Sequence, residues 1–302
     1  MSSLISPAIL WVKISVQESL LMVEYFNFFY FLYIVIAFGL FIGLYLLLRN
    51  KSEKTAYIVL LGLLLASFAL HFLKLGFYHY QRWMPYAIRT ITPENYCAVS
   101  VLVFPWFFIS KNKLLKDYMF YFGVLGGLGA TFYPIDAVGM YAFEFETMRF
   151  YFSHILIWVV PALMVMLGLH TLDYRRILKA PFLVYLVMGV ILVNEIVLVG
   201  AGFVRIEHLF SHEIRNPALI FGPLPQVDLV GVLLTSLTPE LFLTVPVGEN
   251  AGATFYWPIV WLMIPFYIYF VAAAFAMSLP FQFKRIKEDI LTIKSKINPT
   301  KG

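Results

Sequence analysis

The stretch ITPENYCAVSVLVFPWF, residues 91–107, carries Cys97, the single cysteine of the chain. A thiol becomes a nucleophile when a neighbouring base or a positive field favours its thiolate. The local sequence supplies part of this. Thr92 can cap a helix, Pro93 suits a first helical position, and Asn95 can satisfy early amides. With that start Cys97 falls in the second turn, where the helix dipole is already weak. The base must then come from another element, and His154 in FYFSHILIW is the best candidate. Both residues also have plain readings. A lone cysteine in an apolar helix packs as a small residue, and a lone histidine can be satisfied in a core.

The elements that hold these residues follow from composition. Hydrophobic residues make up 61% of the 302 positions and charged residues 13%. Soluble domains run near 45–50% apolar and about 25% charged, so a soluble fold of this length could not bury so much apolar surface. The chain reads as an integral membrane protein. One cysteine excludes an intramolecular disulfide and a cysteine-built metal site. No metal or cofactor is expected. The net charge of +5 sits at the ends of apolar runs, where head groups explain it, and implies no nucleic-acid partner. Residues 1–17 lack a basic region followed by a cleavage site, so no cleavable signal is expected.

Seven apolar stretches are long enough to span roughly 30 Å of hydrocarbon. They lie near 27–49, 56–77, 93–110, 115–134, 147–169, 180–203 and 255–279. A spanning helix satisfies its own backbone, which makes the expected fold an all-α transmembrane bundle. Basic groups follow the first, third and fifth stretches: Arg49, Lys51 and Lys54; Lys111, Lys113 and Lys116; Arg175, Arg176 and Lys179. A fourth group, from Lys284 to Lys301, fills the tail. Seven spans put all four on one side, which predicts an outer N-terminus and a cytoplasmic C-terminus. The expected division is an amphipathic interfacial segment 1–26, a membrane domain 27–279 with a long outer loop 204–254, and a basic tail 280–302. Residues 229–247 are long enough to cross but are broken by Thr238, Pro239 and Glu240. They are expected to form a lid or re-entrant piece in the outer loop.

A charge at the centre of a membrane helix costs roughly 2.5–3.5 kcal/mol on insertion scales, so polar residues in the spans are functional candidates. On this topology they gather in the outer half. His71 and Lys74 lie one turn apart near the outer end of the second span. Cys97 is about 6 Å down the third, and His154 about 10 Å down the fifth, below Arg149 at its mouth. Asn194 and Glu195 lie past the midpoint of the sixth. Each has a plain reading too: Lys74 snorkels, Arg149 pairs with Glu146, and Asn194 joins helices. Glu195 needs a partner or a proton wherever it sits.

The chain resembles the YwaF/TMEM164 family of multi-spanning membrane proteins. The resemblance rests on Pro93 and Cys97 in TPENYC opening the third span, and on His154 in RFYFSHILIW near the start of the fifth. His71 and Lys74 in LHFLKLG and Asn194 in the sixth span add to it. The chain departs from the pattern at Asn95, where the family often has histidine, and at His71, where it has an acid. The loop 204–254 is also longer than the family leads one to expect. The resemblance implies a phospholipid acyltransferase, with Cys97 as nucleophile and His154 as base. The residues themselves allow a scheme in which Asn95 or Asn194 donates to the oxyanion and Arg149 or Lys74 holds a lipid phosphate. His71 and Glu195 would support the site. A membrane lipid would be the acyl donor and an alcohol, a lysolipid or a glycan, the acceptor, with water as acceptor making the same site a lipase. The setting implied is a bacterial plasma membrane. Two other classes stay open: a transporter or lipid-binding protein with a polar cavity, and a non-catalytic partner of an envelope enzyme.

Overall fold

The computed structural model describes residues 21–209, 216–223 and 228–297. Among them every regular element is a helix, and the only β pairings are two isolated bridges. The eight principal helices are α1 (Phe28–Leu48), α2 (Glu53–Leu73), α3 (Tyr96–Ile109), α4 (Lys113–Phe132), α5 (Phe145–Met166), α6 (Ala180–Gly200), α7 (Asp228–Ser236) and α8 (Val260–Ile297). The chain forms two compact units. The first joins Met1–Lys74 to Phe122–Leu169, and the second joins Leu75–Tyr121 to His170–Gly302. The boundary falls within α4.

Among the described residues five helical segments are long and apolar enough to cross a bilayer: Phe28–Leu48, Glu53–Gly76, Phe145–Met166, Tyr174–Gly200 and Val260–Thr292. The other two expected stretches differ for physical reasons. The third starts at the Asn95 cap rather than at Pro93, which leaves 14 helical residues, about 21 Å. The fourth is a 20-residue helix, but Lys113, Lys116 and Asp117 load its start with charge.

In the first unit the cap residues are legible. Asn27 accepts from the Tyr30 amide at 2.9 Å, and Ser52 accepts from the Thr55 amide at 3.1 Å. Buried α5 is the axis of this unit. Tyr33 stacks on Tyr151 at 3.7 Å, and further along Phe38 and Phe41 meet Trp158 at 5.4 and 5.3 Å. Residue numbers rise together along both helices, so α1 and α5 run parallel. After the short turn at 49–52, α2 returns antiparallel to both and packs on α5. The later part of α4 approaches α5 closely at Gly127. A Cβ there would lie 2.8 Å from the Trp158 Cβ and 2.9 Å from the His154 carbonyl, so only glycine fits. Residues 1–20 of the expected interfacial segment lie outside the described residues. Val23 is extended rather than helical and exchanges backbone bonds of 2.9 and 2.8 Å with Met140 and Gly139.

In the second unit, α8 is longer than its expected span. It starts at Val260 and runs 38 residues, about 57 Å, so the tail to Ile297 continues the membrane helix. The 229–247 segment breaks where Thr238 and Pro239 stand. The nine-residue α7, about 13.5 Å long, is far too short to cross. The Thr238 hydroxyl donates to the Leu234 carbonyl at 2.9 Å and the Trp261 carbonyl at 2.8 Å, pinning the break against α8. The orientation drawn from the basic loops predicts that a reporter fused after Gly302 is active only in the cytoplasm. Activity on the other side would reverse it.

Candidate active site

The second unit holds the cysteine. The Asn95 side-chain oxygen accepts from the Ala98 amide at 2.8 Å, making Asn95 the N-cap in place of Thr92. Cys97 is therefore the second helical residue, not a residue of the second turn. It lies in the first turn, where the partial positive charge of a helix start is felt most and favours a thiolate. Thr92 has another task. It accepts from the Asn194 amide at 3.0 Å, which ties α6 to the entry of α3. This brings Asn194 to the chain segment that carries Asn95 and Cys97. It also commits the Asn194 amide to Thr92 and the Asn95 oxygen to the cap, leaving the Asn95 amide as the end outside the cap. Glu195, next along α6, is 1% exposed. Fully buried Tyr118 of α4 is close enough for its hydroxyl and the Cys97 thiol to interact electrostatically. Tyr118 was not among the residues the sequence suggested, because nothing in DYMFYF distinguishes it from the tyrosines around it.

The first unit holds the histidine. His154 Nδ1 lies 2.7 Å from the Phe150 carbonyl, one turn back on α5. A carbonyl only accepts, so Nδ1 carries the proton and Nε2 of the neutral ring is the acceptor. The Phe150 ring packs against the imidazole at 4.1 Å and limits its rotation. Arg149 makes a bidentate pair with Glu146, with Nε at 2.8 Å from Oε2 and Nη2 on Oε1. His71 and Lys74 close α2, and Lys74 is 4% exposed, so it is buried rather than snorkelling. Since α2 is antiparallel to α5, its C-terminal end lies beside the start of α5. The first unit thus gathers His71, Lys74 and Arg149, and the second gathers Asn95, Cys97, Asn194 and Glu195. Among the described residues no group of three or more His, Cys, Asp or Glu side chains is placed to hold a metal ion.

One cluster escaped the sequence reading. Asp117 of α4, with no exposure, accepts from His170 Nε2 at 2.7 Å and from Arg176, whose Nη2 is at 3.0 Å and whose Nε is closer. By sequence alone Arg176 counts only as a loop charge. An acid next to Lys116 at the head of an apolar run was the available signal.

An all-helical chain with several helices long and apolar enough to cross a bilayer, and with charged groups buried in them, defines an integral membrane protein in contact with lipid. The TMEM164 family model matches residues 20–223, and the chain belongs to the TMEM164 family. No curated protein and no solved structure matches it. The matched region contains all eight candidate residues. It ends before α7 and α8.

Proposed function

We propose that this protein is a membrane-embedded lipid acyltransferase with Cys97 as nucleophile and His154 as general base. The observation that carries the reading is the position of Cys97 in the first turn of a side-chain-capped helix, in a family-matched segment. In the proposed reaction His154 Nε2 takes the thiol proton. The thiolate attacks a phospholipid ester carbonyl, a C–S bond forms, and the ester C–O bond breaks. The leaving lysolipid oxygen takes the proton back from the imidazolium. An acceptor hydroxyl then gives its proton to His154 and attacks the thioester, releasing the thiolate, which regains the proton. Water as acceptor gives a free fatty acid instead. The Asn95 amide is the proposed oxyanion donor, and Arg149 or Lys74 the phosphate partner. His71 and Glu195 support the site in this scheme. The plasma membrane is the proposed location.

The experiment exposes membranes to a lipid-like thiol probe and compares wild type with His154→Ala. A positioned base contributes about 10²–10⁴-fold. Labelling of Cys97 is expected to slow by at least about 10²-fold in folded His154→Ala. Equal rates remove the base and the acyltransferase with it.

A second reading, a transporter or lipid-binding protein, is favoured by one observation. In the first unit Ser67 on α2 and Thr147, Tyr151 and Trp158 on α5 bury polar atoms with no hydrogen-bond partner among the described residues. Such groups line polar paths in membrane bundles. This reading expects Cys97→Ser to leave activity nearly unchanged.

A further inference from the structure

A groove of about 680 Å³ runs along the second unit, between α8 and the 3₁₀ turn Tyr174–Lys179 that precedes α6. Its walls follow from helical periodicity. Tyr267, Val271 and Phe275 recur four apart on α8, with Ile268 and Ala272 beside them, so they form one face. On the 3₁₀ turn residues three apart eclipse each other, which stacks Arg175 over Leu178. The Tyr267 hydroxyl donates to the Leu178 carbonyl at 3.2 Å and closes one end. At the other end the Tyr174 and Phe275 rings meet edge to face at 6.5 Å. Those ends are eight residues apart on α8, about 12 Å. The floor is shallow because exposed Ala272 offers only a methyl group.

The two ends differ in chemistry. The Leu178 end carries no charged side chain among its lining residues, and its one polar group, the Tyr267 hydroxyl, is used on the Leu178 carbonyl. The Tyr174 end opens at Arg175, in one of the basic groups that the loop bias puts on the cytoplasmic side. The Arg175 side chain is 56% exposed. Its Nη2 donates to Asp289 of α8 at 2.7 Å, which uses one of five donors. Asp289 also accepts from the Tyr174 hydroxyl. A concave apolar track ending at an exposed guanidinium matches a molecule with a hydrocarbon tail and an anionic head. We propose that the groove is a binding site for an anionic phospholipid, with one acyl chain between Tyr267 and Phe275 and the phosphate at Arg175. Asp289 competes with the phosphate for Arg175 and sets the affinity. The site stands whether or not Cys97 is a nucleophile.

The test is native mass spectrometry of the full chain released from detergent, titrated with phosphatidylglycerol or with phosphatidylcholine. A basic side chain near a membrane surface contributes about 1 kcal/mol, which is about fivefold in affinity. Phosphatidylglycerol is expected to bind at least about fivefold more tightly than phosphatidylcholine in wild type. Arg175→Gln should remove that preference, and Asp289→Asn should enlarge it. Ala272→Trp, at an exposed position, should fill the track and weaken both lipids. Equal binding of the two lipids by wild type overturns the site. So do shifts of the same sign in Arg175→Gln and Asp289→Asn, because a merely structural role of the pair predicts the same loss from either side. Unchanged binding in Ala272→Trp overturns the placement of the chain.

Discussion

Cys97→Ser is expected to abolish acyl transfer while the protein folds and accumulates normally. The substitution keeps size and shape at a half-buried site, and serine suits a first helical turn as well as cysteine does. What changes is the nucleophile. A serine hydroxyl ionises far less readily than a thiol, and the field of a helix start that helps a thiolate does little for it. Losing a covalent nucleophile costs on the order of 10³-fold or more in turnover. The measurement is mass-spectrometric transfer of a labelled acyl chain from phospholipid to lysolipid in membranes. Cys97→Ala should match the serine variant, since neither forms the thioester. A serine variant that keeps a tenth or more of the rate would mean that the thiol does no covalent work, and Cys97 would return to packing. Transport that survives Cys97→Ser would then favour the polar path along α2 and α5.

The features that were legible in the sequence are those set by short-range physics. Continuous apolar runs marked the spans because length against bilayer thickness is a one-dimensional criterion. The break at Thr238 and Pro239 was legible because Thr-Pro-Glu puts a proline and a charge together in the middle of an apolar run, whereas Pro105 and Pro161 stand inside continuous helices. Helix starts were less so. Thr92 and Asn95 are both good caps, and the choice between them was made by Asn194, 102 positions away, which holds Thr92 in a different bond. That choice moved Cys97 into the first turn, where the dipole argument changes strength. The length of α8 was hidden for a related reason. Its tail reads as a basic cytoplasmic segment, but Gln282, Arg285 and Asp289 meet Tyr174, Asp173 and Arg175, and these partners from the loop before α6 hold it helical. Asp117 was the largest omission. Loop bias counts only lysine and arginine, so an acid among Lys113 and Lys116 carries no weight in it, although a carboxylate with no exposure is costly to leave unpaired.

Asp117→Ala is therefore expected to destabilise the protein by about 3–5 kcal/mol, the cost of removing one partner from a buried ion pair. The carboxylate has no exposure and accepts from two residues that follow α5 in sequence, His170 at 2.7 Å and Arg176 at 3.0 Å. Alanine would leave the Arg176 guanidinium, 23% exposed, without its main counter-charge, although Asp173 lies 3.5 Å away. It would also strand His170 Nε2, whose side chain is 4% exposed. Asp117→Asn should cost less, because the amide oxygen still accepts one bond while the charge is lost. The double variant Asp117→Leu with Arg176→Met should recover part of the loss, since replacing both members of a buried pair by apolar groups is often neutral, while His170 Nε2 still loses its partner. Thermal unfolding of the detergent-solubilised protein, read by intrinsic fluorescence, measures all three. The order expected is wild type highest and Asp117→Ala lowest, with Asp117→Asn and the double variant between them. A loss under about 1 kcal/mol for Asp117→Ala would mean that water reaches this cluster and screens it like a surface pair. A double variant as unstable as Asp117→Ala would mean instead that the pairing holds the 170–176 segment in place, and that shape rather than charge is what Asp117 contributes.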